Sequence, residues 1–261
     1  MEDIRYDIRW TNALDEKFIS DFLSVQQEVF HVGTREEFRV QYEENIYGAS
    51  VIVVVYLDEK PVAARGLWRN DIDGREAYQP GSTCVLPVCR GKGIFKEMTL
   101  RSIALLPSDA IIYNFPNNNS FPGYMKMGWK LVHDYGRRLL VCVGTYLKEH
   151  PIPIDEAYGN WWVVGRDYLH TKKGGHYFIV RKDSKKFCYF IVAEAEKSIA
   201  LQFPEVKWGI FFYRSDTPSW FCKRYQKLHV VSRTADVPYI PIWKIDALCK
   251  RLDSANPKNI S

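Results

Sequence analysis

A chain of 261 residues with 46% hydrophobic and 15% aromatic content holds one large or two small domains and is too apolar to be disordered. The formal charge of +5, from 36 basic and 31 acidic residues, shows no basic block beyond short pairs such as Lys172 with Lys173 and Lys185 with Lys186, which argues against a dedicated nucleic-acid binder. The six cysteines (Cys84, Cys89, Cys142, Cys188, Cys222 and Cys249) include no CxxC pair, so no metal site is expected. The longest apolar run, Val51–Leu57, is far short of the roughly 20 residues that a membrane helix needs. No secretory signal follows the charged start, and the expectation is a cytoplasmic protein with reduced thiols and no membrane partner.

Residues 4–10 alternate apolar with charged side chains, the period-two pattern of a half-buried strand. Phe18, Phe22, Val25 and Val29 then recur at helical spacing. Thr34 with Glu37 makes a capping box before a second helix whose stripe is Phe38, Tyr42 and Ile46. Residues 51–57 are a β-branched run, a strand buried on both faces. Residues 61–68 and 76–86 are two more strands around the hairpin turn Asp73-Gly74. A glycine-rich turn leads into a helix marked by Phe95, Met98 and Leu105 and closed by Pro107. Residues 110–115 form a short buried strand, parallel to the earlier one because a helix crosses between them. Ser120 is a candidate cap for a short helix that Gly128 ends. Residues 131–134 and 139–143 are expected as a closing hairpin around Gly136.

Residues 145–159, with Pro151 and Pro153, are expected as a connector. Beyond it lie strand patterns at 176–181, 187–193, 199–203 and 207–213, a helix around 219–227, a strand at 228–232 and a frayed tail at 255–261. The aromatic side chains are dense here, and a core accounts for most of them.

The strongest chemical signal is Val85-Leu86-Pro87-Val88-Cys89-Arg90-Gly91-Lys92-Gly93-Ile94-Phe95. A strand ends and a helix begins, so the backbone N–H groups of the turn lack helical partners and carry the positive end of the helix dipole. A pyrophosphate satisfies several such groups at once. Gly91 and Gly93 let it approach the backbone, and Arg90 and Lys92 add charge. The spacing is not that of a P-loop. The second signal, Asn117-Asn118-Asn119-Ser120-Phe121-Pro122-Gly123-Tyr124-Met125-Lys126-Met127-Gly128-Trp129, follows a parallel strand and so lies at the same sheet edge, where open α/β sheets bind ligands.

In this order, and separated by one helix and one strand, the two stretches resemble the signatures of the GCN5-related N-acetyltransferase family. The resemblance covers roughly residues 1–145. It implies an α+β fold of the three-layer α/β type, with a mixed, mostly antiparallel sheet flanked by helices, and acetyl-coenzyme A as co-substrate. It also implies roles. Cys84, Val85 and Leu86 would offer backbone groups to the pantetheine arm, and Arg90, Gly91, Lys92, Gly93, Ile94 and Phe95 would hold the pyrophosphate. Asn117 would contact the cofactor near the arm. Tyr124 would protonate the departing thiolate, a role that suits a phenol. The implied reaction is acetyl transfer to an amine of a small acceptor, an amino sugar being one candidate, by direct attack.

Three departures stand out. Phe95 replaces a small residue, Ser120 an alanine and Trp129 a phenylalanine. Glu76 and Gln79 lie near the region where the family often places a general base, but neither is assigned. Cys84 has no histidine that the sequence places beside it, so a covalent acyl-cysteine route is not expected. Residues 155–261 carry no second glycine-rich turn; they are either a degenerate copy of the same fold or an elaboration that builds the acceptor site. The alternative to an enzyme is a non-catalytic acyl-coenzyme A-binding module. A transferase using aminoacyl-tRNA is disfavoured by the intact turn and the modest charge. Oligomeric state is not legible.

Overall fold

In a computed structural model, residues 3–142, 152–163, 167–183, 185–215, 223–241 and 243–244 are described. The chain divides into two compact units: Met1–Asp134 with His229–Pro238, and Tyr135–Leu228 with Tyr239–Ser261.

The first unit opens with β1 (Ile4–Trp10), paired antiparallel with β2 (Val51–Leu57) along its whole length. Helix α1 (Glu16–Phe30) starts where the Asp15 carboxylate accepts the Phe18 N–H at 2.8 Å, and it buries Phe18, Ile19, Phe22 and Val25. The capping box of Thr34 and Glu37 opens α2 (Arg35–Phe38) as expected. The helical stripe then holds only as far as Tyr42. The chain widens into a π-helical turn, Arg39–Glu43, and Ile46 is left 43% exposed. Strands β2, β3 (Lys60–Arg69) and β4 (Ala77–Val85) form an antiparallel meander. Val53 and Val55 of β2 pack on Ile94 and Met98 of α3 (Ile94–Ile103). Tyr56, on the other face, donates its hydroxyl to Asp21 of α1. Cover on both sides is why β2 reads as an unbroken apolar run.

After α3 comes β5 (Ile111–Asn114), parallel to β4 as the crossover requires. The other edge of β5 pairs antiparallel with β11 (Lys223–Ser232), at Tyr113 with Ser232 and Asn114 with Val231. The strand beside β5 in the first unit is therefore supplied by residues 229–232 of the returning segment, a return that no local signal announces. Helix α4 (Phe121–Lys126) precedes β6 (Lys130–Cys142).

In the second unit β7 (Leu169–Lys173), β8 (His176–Lys182) and β9 (Cys188–Ala195) form another antiparallel meander. A short helix α6 (Lys197–Ala200) leads to β10 (Ile210–Ser215), which runs parallel to β9 and antiparallel to residues 138–142 of β6. The core includes Phe178, Val180, Ile191, Phe211 and Tyr213. The order of meander, helix and parallel strand is the order of β2 to β5 in the first unit.

Several local expectations give way to tertiary pairing. The hairpin around Gly136 is a single strand, because the residues after the glycine find a partner in β10; glycine weakens a strand without forbidding it. Val143 lies outside the described residues. The helix expected over 219–227 is strand from Lys223 onward, in β11; residues 219–222 lie outside the described residues. Residues 199–203 form the end of α6 and the turn after it, since a short apolar run fits helix or strand equally. Residues 145–151 of the expected connector, and the tail at 255–261, lie outside the described residues. Within residues 152–159, Ile154, Tyr158 and Gly159 are buried and the others are exposed. Ile154 donates its N–H to Glu194 at 2.8 Å, and Asp155 caps the short helix α5 (Glu156–Tyr158).

Gly66 of β3 is fixed by close approach: a Cβ there would land on the hydroxyl and ring of the buried Tyr42. Gly66→Ala is predicted to cost about 1–3 kcal/mol, the usual penalty of overpacking, read as a lower denaturation midpoint in urea. An unchanged midpoint would contradict this packing.

Candidate active site

The site begins where β4 and β5 part. Their parallel ladder is confined to Ala77 with Ile111 and Tyr78 with Ile112. Among the described residues, 79–85 have no ladder partner on that edge. The sequence explains the parting. Asn70 donates its N–H to the Ala77 carbonyl across the β3 edge, so by the alternation of an antiparallel ladder the Pro80 nitrogen faces the β5 edge. Proline has no N–H to give there. Just beyond, the β3–β4 register shifts between Ala64 and Gly66, and Ser82 takes a φ of 50°. Leu86 donates its N–H to Val62 of β3 at 2.9 Å, which leaves the Val85 N–H and C=O on the free edge. The Val85 carbonyl there accepts the Arg90 Nε at 3.2 Å.

The strand ends in the glycine turn. Gly91 and Gly93 have φ values of 81° and 78°, and a Cβ at either would meet nothing within 4 Å. Backbone angle, not crowding, selects glycine here. Gly93 caps α3 without a side chain, and among the described residues no backbone carbonyl accepts the N–H of Gly91, Gly93, Ile94, Phe95 or Lys96. Arg90, Gly91, Lys92, Gly93 and Lys96 are exposed. The turn is an open set of donors at the positive end of a ten-residue helix. Phe95 sends its ring to the protein interior: it meets Tyr124 edge-to-face at 5.6 Å between centroids. A Cβ on Gly123 would lie 3.1 Å from that ring. The bulky residue in the glycine turn is therefore matched by a glycine in the second signature.

Tyr124 is 2% exposed and stands over the parted strands from α4. Its oxygen accepts Arg65 Nη2 and Asn114 Nδ2, each at 2.6 Å. The Asn114 amide is oriented by its Oδ1, which accepts the Phe115 N–H at 2.8 Å. Arg65 is fully buried at 0% exposure. Its Nη1 donates to Thr99 Oγ1 at 2.7 Å, and that hydroxyl gives its own proton to the Phe95 carbonyl at 2.6 Å. The guanidinium lies 5.3 Å from the centroid of the Phe95 ring and 5.7 Å from that of Tyr124. Both accepted bonds leave the Tyr124 proton unused. Arg65, Thr99 and Asn114 escaped sequence reasoning. Arg65 sits inside a run of buried β3 residues, where an arginine was itself the signal.

Other candidates are placed differently. Asn117 is exposed, and its Oδ1 accepts the Asn119 and Ser120 N–H groups and the Ser120 hydroxyl. Asn117, rather than Ser120, therefore holds the entry to α4, and Ser120 makes no side-chain cap. Glu76 accepts the Tyr78 hydroxyl at 2.6 Å and lies 3.5 Å from Arg69. Gln79 pairs with Trp68 and shares its sheet face, where Trp68 donates to the Gln41 carbonyl. Cys84 lies opposite Ala64 and receives Gln26 Nε2 from α1 at 3.3 Å. That places it on the face away from Tyr124.

Burial pushes the Cys84 thiol up to about 12, the bond to the Ala64 carbonyl opposing this only in part. A thiol so raised stays protonated, and unreactive, through the ordinary pH range. Iodoacetamide at pH 8.5 is predicted to leave Cys84 unmodified in the folded protein and to alkylate it after unfolding in urea, as mapped by peptide mass spectrometry. Modification of Cys84 in the folded chain would contradict the geometry.

Solved structures resemble this chain over most of its length. A protein from Enterococcus faecalis V583 described as a probable N-acyltransferase superposes with a TM-score of 0.56 at 12% identity, over 88% of this chain and 72% of that one. A GCN5-related N-acetyltransferase from Anabaena variabilis ATCC 29413 gives 0.55 at 12% identity, over 87% and 72%. Another from Kribbella flavida gives 0.52 at 12% identity, over 88% and 71%. No protein-family model and no curated protein matches the sequence. With its meander, crossover helix and parted parallel strands, this chain has the fold of the GCN5-related N-acetyltransferases.

Proposed function

We propose that this chain transfers an acetyl group from acetyl-coenzyme A to the amine of a small acceptor, an amino sugar being one such acceptor. The observation that carries the reading is the row of backbone N–H groups at Gly91, Gly93, Ile94, Phe95 and Lys96 that, among the described residues, no backbone carbonyl accepts, placed at the end of a β4 edge that has no ladder partner among those residues. The first feature fits a pyrophosphate and the second an extended amide-bearing arm, and coenzyme A carries both. The activity named for the solved structures of like fold supports the same class of reaction.

The coenzyme, when bound, supplies an acyl carbon activated as a thioester. Residues 90–95 would hold the pyrophosphate; the Val85 backbone, which faces the free edge between Cys84 and Leu86 that face β3, would align the arm; and Asn117 would contact it from the entry to α4. The acceptor nitrogen bonds to the acyl carbon and the carbon–sulfur bond breaks. Tyr124 gives its proton to the sulfur and regains the proton that the amine loses, by way of solvent. Holding both reactants in one groove removes the entropic cost of their encounter. The second unit, with the same order of elements but a four-residue α6 and no glycine turn, is read as a degenerate copy that has lost the coenzyme cradle.

Thermal unfolding tests the reading. Acetyl-coenzyme A at 100 times its Kd adds about 2.7 kcal/mol, which for a chain of this size raises the midpoint on the order of 5–10 °C. The rise is predicted to vanish in Gly93→Asp, where a carboxylate and a Cβ intrude on the cradle. No shift in the parent protein at saturating coenzyme would mean that the turn does not bind it.

A further inference from the structure

Arg65 is a buried cation that meets no anion among the described residues. Its side-chain bonds run to Thr99 and Tyr124, none of them to a carboxylate of the described residues, and among those residues its buried Nε has no hydrogen-bond partner. Two of its nitrogens are committed to neutral oxygens, of Thr99 and Tyr124. Protein interiors seldom leave a guanidinium in this state, because an unpaired buried charge is among the costliest features a fold can carry. Packing alone does not call for it: a methionine fills similar space with no charge to desolvate. A charge kept at such cost next to a reactive group points to an anion that arrives during function.

Other charges of the neighbourhood are committed elsewhere. Glu76 is held by Tyr78 and Arg69. Glu97 of α3 faces Arg101 at 3.4 Å. From β11, His229 stacks on Phe121 at 4.6 Å between centroids. Cys84 faces α1 through Gln26, on the other side of the sheet. Tyr124 is the titratable group in direct contact with Arg65.

We propose that Arg65 is a positioning residue whose charge, relayed through the Tyr124 hydroxyl, stabilises the negative sulfur of coenzyme A as the acyl group leaves. The inference rests on the function proposed above. Arg65 and Asn114 occupy the acceptor side of the Tyr124 oxygen and so aim its proton outward, at the place where the sulfur becomes negative. As the carbon–sulfur bond breaks, the sulfur takes the bond's electron pair and then the Tyr124 proton. The fixed positive charge behind the phenol offsets the negative charge first on sulfur and then on oxygen. Arg65 touches neither reactant, and its effect passes entirely through Tyr124.

The consequence is measurable without an acceptor. Free coenzyme A is a thiol, and acetyl-coenzyme A is a thioester with no proton to lose. If the site stabilises the thiolate, the bound thiol ionises at lower pH than the free one, whose ordinary value is about 8.5. Between the two values binding releases a proton, so affinity rises with pH by up to about tenfold per unit, then levels off above the free value. Calorimetric titrations of both ligands from pH 6 to 9.5 are predicted to show this rise for coenzyme A and a flat profile for acetyl-coenzyme A. Arg65→Met is predicted to flatten the coenzyme A profile while acetyl-coenzyme A affinity stays within about twofold. Arg65→Lys, which keeps the charge, should restore part of the slope; a purely structural role predicts no such rescue. A flat coenzyme A profile in the parent protein overturns the proposal with no variant needed, as does a slope that survives in Arg65→Met. If neither ligand binds the parent protein, the coenzyme reading itself fails. Binding of both with equal, flat profiles defeats the role of Arg65 alone.

Discussion

The separation of β4 from β5 after Tyr78 is the constraint on which the rest of the site depends. Two parallel strands that stayed paired would close the edge with their own hydrogen bonds. Here Pro80 withholds an N–H on that side, the β3–β4 register slips between Ala64 and Gly66, and β5 turns its other edge to β11. The result is a strand edge with backbone groups to offer, ending directly at the glycine turn. Helix α3 then points into the same region N–H groups that no backbone carbonyl of the described residues accepts. One break in a ladder thus yields both an edge that can accept an extended chain and a cradle that can accept an anion.

The break also decides where Tyr124 and Arg65 meet. Asn114 is the last residue of β5, and its amide reaches the Tyr124 oxygen that Arg65 reaches from β3. Phe95 supports the cluster with a ring that packs on Tyr124 and Gly123. Desolvating a guanidinium is costly, and two hydrogen bonds to neutral oxygens with two ring faces offset part of that cost. The remainder is stability that the fold has not recovered, in keeping with a charge retained for what happens at the phenol.

Much of this was legible. The β-branched run of β2, the capping box at Thr34 and the strand–turn–helix around Gly91 and Gly93 are local signals, and the first unit follows them. The two glycine-bearing signatures sit at one sheet edge as their order required. What was not legible depended on pairing between distant segments. Gly136 carries a local preference that β10 overrides by offering ladder partners to residues 138–142, and residues 223–227, helical by local pattern, extend as part of the long strand β11. The return of His229–Pro238 to the first unit has no local signature at all. Arg65 was visible as an arginine in an apolar strand, yet its meaning depends on Thr99, Asn114 and Tyr124, which lie 34 to 59 residues away.

The most direct test of coenzyme binding at this edge is hydrogen exchange of the backbone amides with and without acetyl-coenzyme A. Binding in the cradle is predicted to slow exchange in residues 85–96 and in the segment from Asn117 to Tyr124, and to leave β7, β8 and β9 of the second unit unchanged. Protection that misses residues 85–96 while the coenzyme is bound, or that is confined to the second unit, would contradict the account.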